Sequence, residues 1–140
     1  MPEKRPTLLI VDDEYNTRET LLEFLGRKFD VVGAGNGSDA IKLLQERDFD
    51  LILTDLRMPE ADGMSVLEAA SGKACRPRCI MMTAYGSISD AVQAMKNGAF
   101  DFITKPIKLA TCLPKTLWYP QRRCGADKPQ NPRPHQAHSK

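Results

Sequence analysis

Long apolar runs are missing from this chain of 140 residues. The longest runs, such as Leu8 to Val11, have only a few residues, whereas a membrane-spanning helix needs about 20 predominantly apolar residues. The first residues, Met1 to Pro6, also lack the apolar stretch of a secretory signal peptide. The sequence therefore predicts a cytoplasmic protein without a membrane partner.

Cysteine and histidine are scarce, and neither has the spacing of a zinc site or of a dithiol redox site. The four cysteines are at positions 75, 79, 112 and 124, and no two of them form a C-x-x-C pair. The two histidines, His135 and His138, lie in a polar segment with no acidic or thiol neighbour. These patterns argue against a zinc ribbon and against a thioredoxin-type motif.

Charge and proline are unevenly distributed along the chain. Residues 1–104 contain 12 Lys/Arg and 17 Asp/Glu, whereas residues 105–140 contain 8 Lys/Arg, one Asp and six of the ten prolines. We expect one globular domain over residues 1–118 and a basic, proline-rich, disordered tail over residues 119–140. Whether a fifth helix forms between Ile107 and Trp118 stays open, because Pro114 would interrupt it.

Short apolar runs alternate with stretches in which apolar residues recur at helical spacing. This alternation predicts an α/β fold, a three-layer doubly wound structure with a five-stranded parallel sheet between helices. The strand candidates are Thr7 to Val11, Val31 to Val32, Leu51 to Thr54, Cys79 to Thr83 and Phe100 to Thr104. The helix candidates are centred on Leu21 to Leu25, Ser38 to Arg47, Met64 to Ala70 and Ala91 to Met95.

Polar residues follow or end four of these strand candidates. Asp12 and Asp13 follow the first, Asp55 follows the third, Thr83 ends the fourth and Lys105 follows the fifth. The carboxyl ends of parallel strands meet at one edge of the sheet, which is where such folds bind ligands. An Asp pair after a strand is by itself usually a turn or a helix cap. The joint occurrence at several strand ends favours a site.

Residues of these types suit phosphoryl transfer. Neighbouring carboxylates raise one another's pKa, and a hard cation such as Mg²⁺ relieves their repulsion while keeping several waters. Lys105 adds a fixed positive charge, and the Thr83 hydroxyl can donate to a phosphoryl oxygen. An aspartate such as Asp55 can act as the nucleophile and form an acyl phosphate. The pattern therefore predicts a Mg²⁺-assisted site that accepts a phosphoryl group.

Four motifs connect this predicted site with a known family. They are LLIVDDE at 8–14, DLILTDLRMPEADG at 50–63, MMTAYG at 81–86 and GAFDFITKP at 98–106. Over Thr7 to Ile107 the chain resembles the receiver domain of two-component response regulators. TDLRMP, MTAYG and GAFDFITKP are most similar to the nitrogen-regulator (sigma-54 activator) class, in which the receiver usually precedes an ATPase and a DNA-binding module.

The resemblance implies a flavodoxin-like fold with strand order 2-1-3-4-5 and a role in a phosphorelay. A sensor histidine kinase would phosphorylate Asp55, and the domain would assist its own phosphorylation and slow dephosphorylation without being an enzyme. The implied site residues are Asp12, Asp13, Asp55 and the backbone carbonyl of Arg57 for Mg²⁺, and Thr83 and Lys105 for the phosphoryl group.

The resemblance also implies a conformational switch. Thr83 would move towards the phosphoryl group, and the Phe102 ring would turn inwards; because Phe lacks the hydroxyl of Tyr, we expect it to be partly inward even without phosphate. Pro106 is a candidate for a cis peptide bond. Homodimerisation through the fourth helix and fifth strand is a further expectation.

Two other functions compete with the receiver interpretation. The basic tail, with Trp118 and Tyr119, could contact nucleic acid, but it shows no recognisable binding fold and we do not expect direct binding. A phosphatase of the haloacid-dehalogenase type would show D-x-D at its nucleophile, whereas Asp55 is followed by Leu56 and Arg57. Stoichiometry distinguishes the classes, since a receiver takes one phosphoryl group and a phosphatase turns over.

Overall fold

A computed structural model describes residues 5–58, 61–83 and 88–105 of the chain. Strands and helices alternate in the described residues: β1 (Thr7–Val11), α1 (Tyr15–Leu25), β2 (Asp30–Ala34), α2 (Gly37–Glu46), β3 (Leu51–Asp55), α3 (Gly63–Ser71), β4 (Arg78–Thr83), α4 (Ile88–Lys96) and β5 (Asp101–Thr104). Each predicted strand is confirmed, with ends that shift by at most two residues. The predictions for Pro106, the fifth helix and the tail lie outside the described residues.

The ends shift because strand pairing is a property of the backbone rather than of side-chain hydropathy. Asp30 has an exposed side chain, so the apolar pattern starts only at Val31, yet Asp30 already pairs with Thr7 in the sheet. Its amide also donates to the carbonyl of Pro6 at 2.8 Å. Polar residues at strand ends therefore belong to the sheet although the sequence pattern leaves them out.

The strands form one parallel sheet in the order β2-β1-β3-β4-β5, as predicted. The register pairs Val11 with Ala34 and Asp55 with Met82, so neighbouring strands end at similar heights. Thr83 pairs with Thr104 at the far side of the sheet. This alignment places the carboxyl ends of β1, β3, β4 and β5 along one edge, called the carboxyl edge below.

Both faces of the sheet are covered by apolar side chains. Alternate residues of a strand point to opposite faces, so Leu9 and Ile52 pack with α2, α3 and α4, whereas Leu8 and Leu53 pack with α1. These four side chains are fully buried, and each such burial stabilises the fold by about 1.5–3 kcal/mol. The predicted three-layer arrangement is therefore confirmed.

Helix ends are set by local polar contacts. The side chain of Asn36 accepts a 2.8 Å hydrogen bond from the amide of Asp39 and so caps α2, and Asp62 accepts from the amide of Ser65 at the start of α3. Helix α4 ends before Gly98, whose φ of 109° is accessible mainly to glycine. None of the helices in the described ranges has the length and apolar character needed to cross a bilayer.

Candidate functional site

Three aspartates converge at the carboxyl edge. Asp55 is the last residue of β3, and Asp12 and Asp13 directly follow β1, the strand next to it. One carboxylate oxygen from each of the three lies within 4.8 Å of the others. Asp12 is fully buried and Asp55 is 7% exposed, whereas Asp13 is exposed. The structure thus brings together the three acidic side chains that the strand pattern predicted.

Lys105 supplies the positive charge of this cluster. Its Nζ lies 3.1 Å from Oδ2 of Asp12 and 3.1 Å from Oδ2 of Asp55. The lysine is placed there by the sheet, because its amide donates a 2.8 Å hydrogen bond to the carbonyl of Thr83 at the end of β4. We call Asp12, Asp13, Asp55 and Lys105 the acidic pocket.

The electrostatics of the acidic pocket follow from burial and from an excess of negative charge. Burial raises the pKa of Asp55 above its ordinary value; Lys105 opposes this shift, and Asp12 and Asp13 add to it. Burial alone would lower the pKa of Lys105, but the carboxylates of Asp55 and Asp12 outweigh it and raise that pKa. The charged form of Lys105 is therefore favoured, and ionisation of Asp55 carries a cost that another cation would reduce.

A divalent cation fits this set of donors. Three carboxylates share the pocket with one ammonium group, so the described residues of the pocket hold two more acidic groups than basic ones. The pocket offers a small number of carboxylates, which are all oxygen donors, and one of them is open to water. This set of ligands suits Mg²⁺, which retains part of its hydration shell. Asp12, Asp13 and Asp55 are the residues that could hold it.

Thr83 brings an unsatisfied polar group to the same edge. It is the last residue of β4 and is 1% exposed, and within the described ranges its Oγ1 has no hydrogen-bond partner. A buried hydroxyl without a partner costs about 1–3 kcal/mol, so a ligand oxygen that binds this hydroxyl recovers that free energy. Thr83 is therefore ready to donate to a bound anion.

The remaining predicted residues lie around the pocket. Phe102 in β5 is half-buried and packs against the apolar cluster under α2, α3 and α4. The side chain of Arg57 is 68% exposed and forms an ion pair with Asp90 in the first turn of α4. The switch role of Phe102 and the ligand role of the Arg57 carbonyl stay predictions, and Pro106 lies outside the described residues.

Sequence reasoning missed Arg18 and Asp90. Arg18, in the first turn of α1, donates from Nη1 to the backbone carbonyl of Asp12 at 2.7 Å. Its position six residues after Asp12 was a local signal that could have been noticed. Asp90 gave no such signal, because it lies 33 residues from its partner Arg57.

Comparison with known proteins identifies the family of this chain. The model of the response regulator receiver domain family matches residues 8–115, which is more than half of the chain. The chain therefore belongs to the response regulator receiver domain family, the domains of two-component systems that are phosphorylated on an aspartate. Its flavodoxin-like fold and its similarity to the sigma-54 activator class, both predicted from the motifs, are confirmed.

Particular relatives are response regulators of several bacteria. The chain is 45% identical over 106 residues to the response regulator protein PilR of Pseudomonas aeruginosa, which covers 75% of this chain and 24% of PilR. It is 41% identical over 103 residues to the regulatory protein AtoC of Escherichia coli, covering 73% of this chain and 22% of AtoC. The chain thus spans about a quarter of the length of these relatives.

Solved structures show the same fold. One is a response regulator protein from Burkholderia pseudomallei with a phosphorylated aspartic acid, calcium ion and citrate; it is 31% identical with a TM-score of 0.68, over 78% of this chain and 64% of that one. Another is the receiver domain of NtrX from Brucella abortus, 27% identical with a TM-score of 0.68, over 74% of this chain and 88% of that one.

Proposed function

We propose that Asp55 accepts a phosphoryl group from a phosphohistidine of a sensor histidine kinase, with Mg²⁺ held in the acidic pocket. The observation that carries this proposal is the position of the Lys105 Nζ, 3.1 Å from the carboxylates of both Asp12 and Asp55. A fixed cation beside a strand-end carboxylate is the arrangement that phosphoryl transfer needs, since charge on the transferred oxygens must be stabilised.

Exposure and contacts favour Asp55 over its two neighbours as the acceptor. Asp12 is fully buried, and its Oδ1 already accepts a 2.9 Å hydrogen bond from the amide of Glu14, so it is closed to an incoming phosphorus atom. Asp13 is exposed and belongs to a turn rather than to a strand. Asp55 is held by the backbone of β3, is in contact with Lys105 and keeps a side chain that is 10% exposed.

The transfer is a direct displacement at phosphorus. A carboxylate oxygen of Asp55 forms the new O–P bond while the N–P bond of the phosphohistidine breaks, and the leaving imidazole takes the electron pair. Lys105 stabilises the negative charge of the transferred oxygens, and the Thr83 hydroxyl donates a hydrogen bond to one of them. In dephosphorylation, water attacks the same phosphorus and the O–P bond to Asp55 breaks. Inorganic phosphate leaves, and the Asp55 carboxylate is regenerated.

Magnesium would be held by Asp12, Asp13 and Asp55 together with the backbone carbonyl of Arg57. When bound, it neutralises charge on the phosphoryl oxygens and on the three carboxylates. The support for this assignment is the grouping of three carboxylate oxygens within 4.8 Å of one another, two of them on the buried residues Asp12 and Asp55 that also contact Lys105.

The phosphoryl group would act as a switch rather than as an intermediate in turnover. Thr83 would move towards the new phosphoryl oxygens, because its buried hydroxyl gains the partner that it lacks among the described residues. Phe102, half-buried in the neighbouring strand β5, would then turn further into the space behind Thr83. Burying the rest of the ring gains a few kcal/mol at most, about enough to shift a two-state equilibrium by ten-fold or more.

The partners of the whole protein follow from this role. We infer a sensor kinase upstream, and a homodimer through the face that α4 and β5 form. In support of the dimer, Val92 of α4 is 45% exposed and β5 is an edge strand of the sheet within the described residues. Direct contact with nucleic acid is not part of this proposal.

Intact mass after incubation with acetyl phosphate and Mg²⁺ tests the function. We expect the mass of one phosphoryl group to be added per chain, and neither EDTA-treated protein nor Asp55→Asn to gain it. Asp30→Asn is the matched control, because it removes an exposed carboxylate at the opposite edge of the sheet and should be labelled like wild type. Labelling of Asp55→Asn at another residue contradicts the assignment, and rapid multiple turnover of acetyl phosphate supports a phosphatase instead.

A further inference from the structure

Arg18 is a cation that contacts the acidic pocket and that the proposed mechanism does not use. Its side chain is half-buried, and its Nη1 donates a 2.7 Å hydrogen bond to the backbone carbonyl of Asp12. The guanidinium carbon also lies 5.5 Å from the centroid of the Tyr15 ring, a distance typical of a cation–π contact. Arg18 therefore contacts the backbone of the pocket and not its carboxylates.

Gly35, which directly follows β2, leaves room for the guanidinium of Arg18. A Cβ at Gly35 would lie 3.3 Å from Nη1 of Arg18, which is tighter than an ordinary contact, whereas a Cβ at Gly33 would lie 3.5 Å from Cδ of Arg18, an ordinary contact distance. The arginine thus lies over the end of β2 and reaches across to the end of β1. Any larger side chain at Gly35 would press on the guanidinium that holds the Asp12 carbonyl.

Three hydrogen bonds then define the turn that carries Asp13. The amide of Asp12 donates to the carbonyl of Ala34 at 3.2 Å, the Asp12 carboxylate accepts from the amide of Glu14 at 2.9 Å, and the Asp12 carbonyl accepts from Arg18. The first two bonds fix the peptide groups on either side of Asp12 and Asp13. The bond from Arg18 fixes the peptide that joins them, whose plane sets the direction of the Asp13 side chain.

We propose that Arg18 is a positioning residue for the metal ligands: by holding the Asp12 carbonyl, it keeps the exposed Asp13 carboxylate in reach of Asp12 and Asp55. The proposal rests on the Mg²⁺ role of the acidic pocket proposed above. The proposal and simple electrostatics predict opposite changes in Mg²⁺ affinity when Arg18 is replaced. Removing a positive charge near three carboxylates should by itself strengthen cation binding, whereas losing the positioning contact should weaken it.

The test is the Mg²⁺ affinity of Arg18→Met, measured by calorimetric titration of the metal alone and by competition with Mn²⁺. We expect the Kd for Mg²⁺ to rise about 10-fold, the lower end of the range for groups that orient metal ligands. The Mg²⁺ concentration for half-maximal labelling by acetyl phosphate should rise in parallel, while the labelling rate at saturating Mg²⁺ stays close to wild type. This split separates loss of ligand positioning from loss of phosphoryl chemistry.

Arg27→Met is the matched control. Arg27 also lies over an aromatic ring, that of Phe24 at 5.7 Å, but it follows the other end of α1, away from the pocket. The Arg27→Met substitution removes the same charge as Arg18→Met, and it should leave the Kd for Mg²⁺ unchanged. Arg18→Lys is the second variant, to be used also if Arg18→Met does not fold; it keeps the charge but replaces the planar guanidinium by a flexible ammonium, and should weaken Mg²⁺ binding several-fold.

Each outcome separates this inference from the proposed function. If wild type binds no Mg²⁺, the proposed metal role fails, and the positioning role of Arg18 fails with it. If wild type binds Mg²⁺ and Arg18→Met binds it equally or more tightly, only the inference is overturned, because Arg18 then acts as a charge. The inference is also overturned if Arg18→Lys binds Mg²⁺ as tightly as wild type while Arg27→Met binds Mg²⁺ more weakly.

Discussion

The two edges of the sheet use the same residue types in opposite ways. At the edge where the strands begin, Asp50 and Thr7 satisfy each other: Oδ2 of Asp50 accepts from the Thr7 amide at 2.9 Å, and the Thr7 hydroxyl accepts from the Asp50 amide at 3.1 Å. At the carboxyl edge, aspartates repel one another, and the Thr83 hydroxyl has no partner within the described ranges.

This difference shows how one sheet can separate stability from function. A carboxylate and a hydroxyl that satisfy each other stabilise the fold and leave nothing for a ligand to bind. Crowded carboxylates and an unpaired buried hydroxyl make the folded state less stable, and a cation or a phosphoryl group recovers that free energy when it binds. Four predictions test this contrast, from the largest expected effect to the smallest.

Lys105→Met should have the largest effect on stability. It leaves the buried Asp12 and Asp55 carboxylates without their shared cation, which we expect to lower the free energy of unfolding by roughly 2–3 kcal/mol. The estimate is below that for a fully buried pair because the lysine side chain is 23% exposed. Urea unfolding in EDTA measures the loss, and Mg²⁺ should restore more stability to this variant than to wild type. An unchanged unfolding midpoint would show that Lys105 does not offset the carboxylate charge.

Asp50→Ala should destabilise the fold without affecting phosphorylation. It removes the acceptor of the Thr7 amide at the edge opposite the pocket, and we expect a loss of about 1–2 kcal/mol in the free energy of unfolding. The extent of labelling by acetyl phosphate should equal that of wild type at a temperature where both are folded. Reduced labelling in the folded variant would mean that the two edges are coupled.

Asp55→Asn should stabilise the metal-free protein. Burial and the neighbouring carboxylates raise the pKa of Asp55 in the folded state, so the unfolded chain loses this proton at lower pH than the folded one does. Stability therefore falls as pH rises from the ordinary aspartate pKa through the raised one, and the asparagine variant lacks that fall. We expect a gain of at most about 1 kcal/mol for a single substitution of this kind, at neutral pH in EDTA and absent in acid.

The control for Asp55→Asn is its stability relative to wild type in acid, compared with its stability relative to wild type at neutral pH. A substitution that stabilised the protein equally in acid and at neutral pH would act through packing rather than through charge. A substitution that destabilised it at neutral pH would show that the contact of Asp55 with Lys105 outweighs the burial of its charge.

Asp90→Asn should have the smallest effect. It breaks an ion pair in which the side chains of Arg57 and Asp90 are 68% and 35% exposed, and such pairs are worth about 0.2–1 kcal/mol. Thermal unfolding at low and at high salt measures this, and high salt should abolish the difference from wild type. A change in Mg²⁺ affinity in Asp90→Asn would instead connect α4 to the loop that carries the predicted carbonyl ligand of Arg57.

The sequence by itself determined the sheet and the edge at which the site lies. The apolar runs of β1 and β3 are typical of strands buried on both faces, and their alternation with helical stretches predicts parallel pairing. Parallel pairing alone brings Asp12, Asp55 and Lys105 to one edge, although Asp55 and Lys105 are 50 residues apart in the chain. The candidate site was therefore predictable from the order of strands and polar residues.

Only the tertiary structure decided how these residues differ in burial and partnership. Asp12 and Asp13 are adjacent in sequence, yet one is fully buried and the other is exposed, because the chain leaves the sheet between them. The contact of Arg18 with the Asp12 carbonyl depends on the space that Gly35, directly after β2, leaves for the guanidinium. Contacts of this kind join segments that no local pattern connects, and they form only after packing has fixed the distances between strand ends and helices.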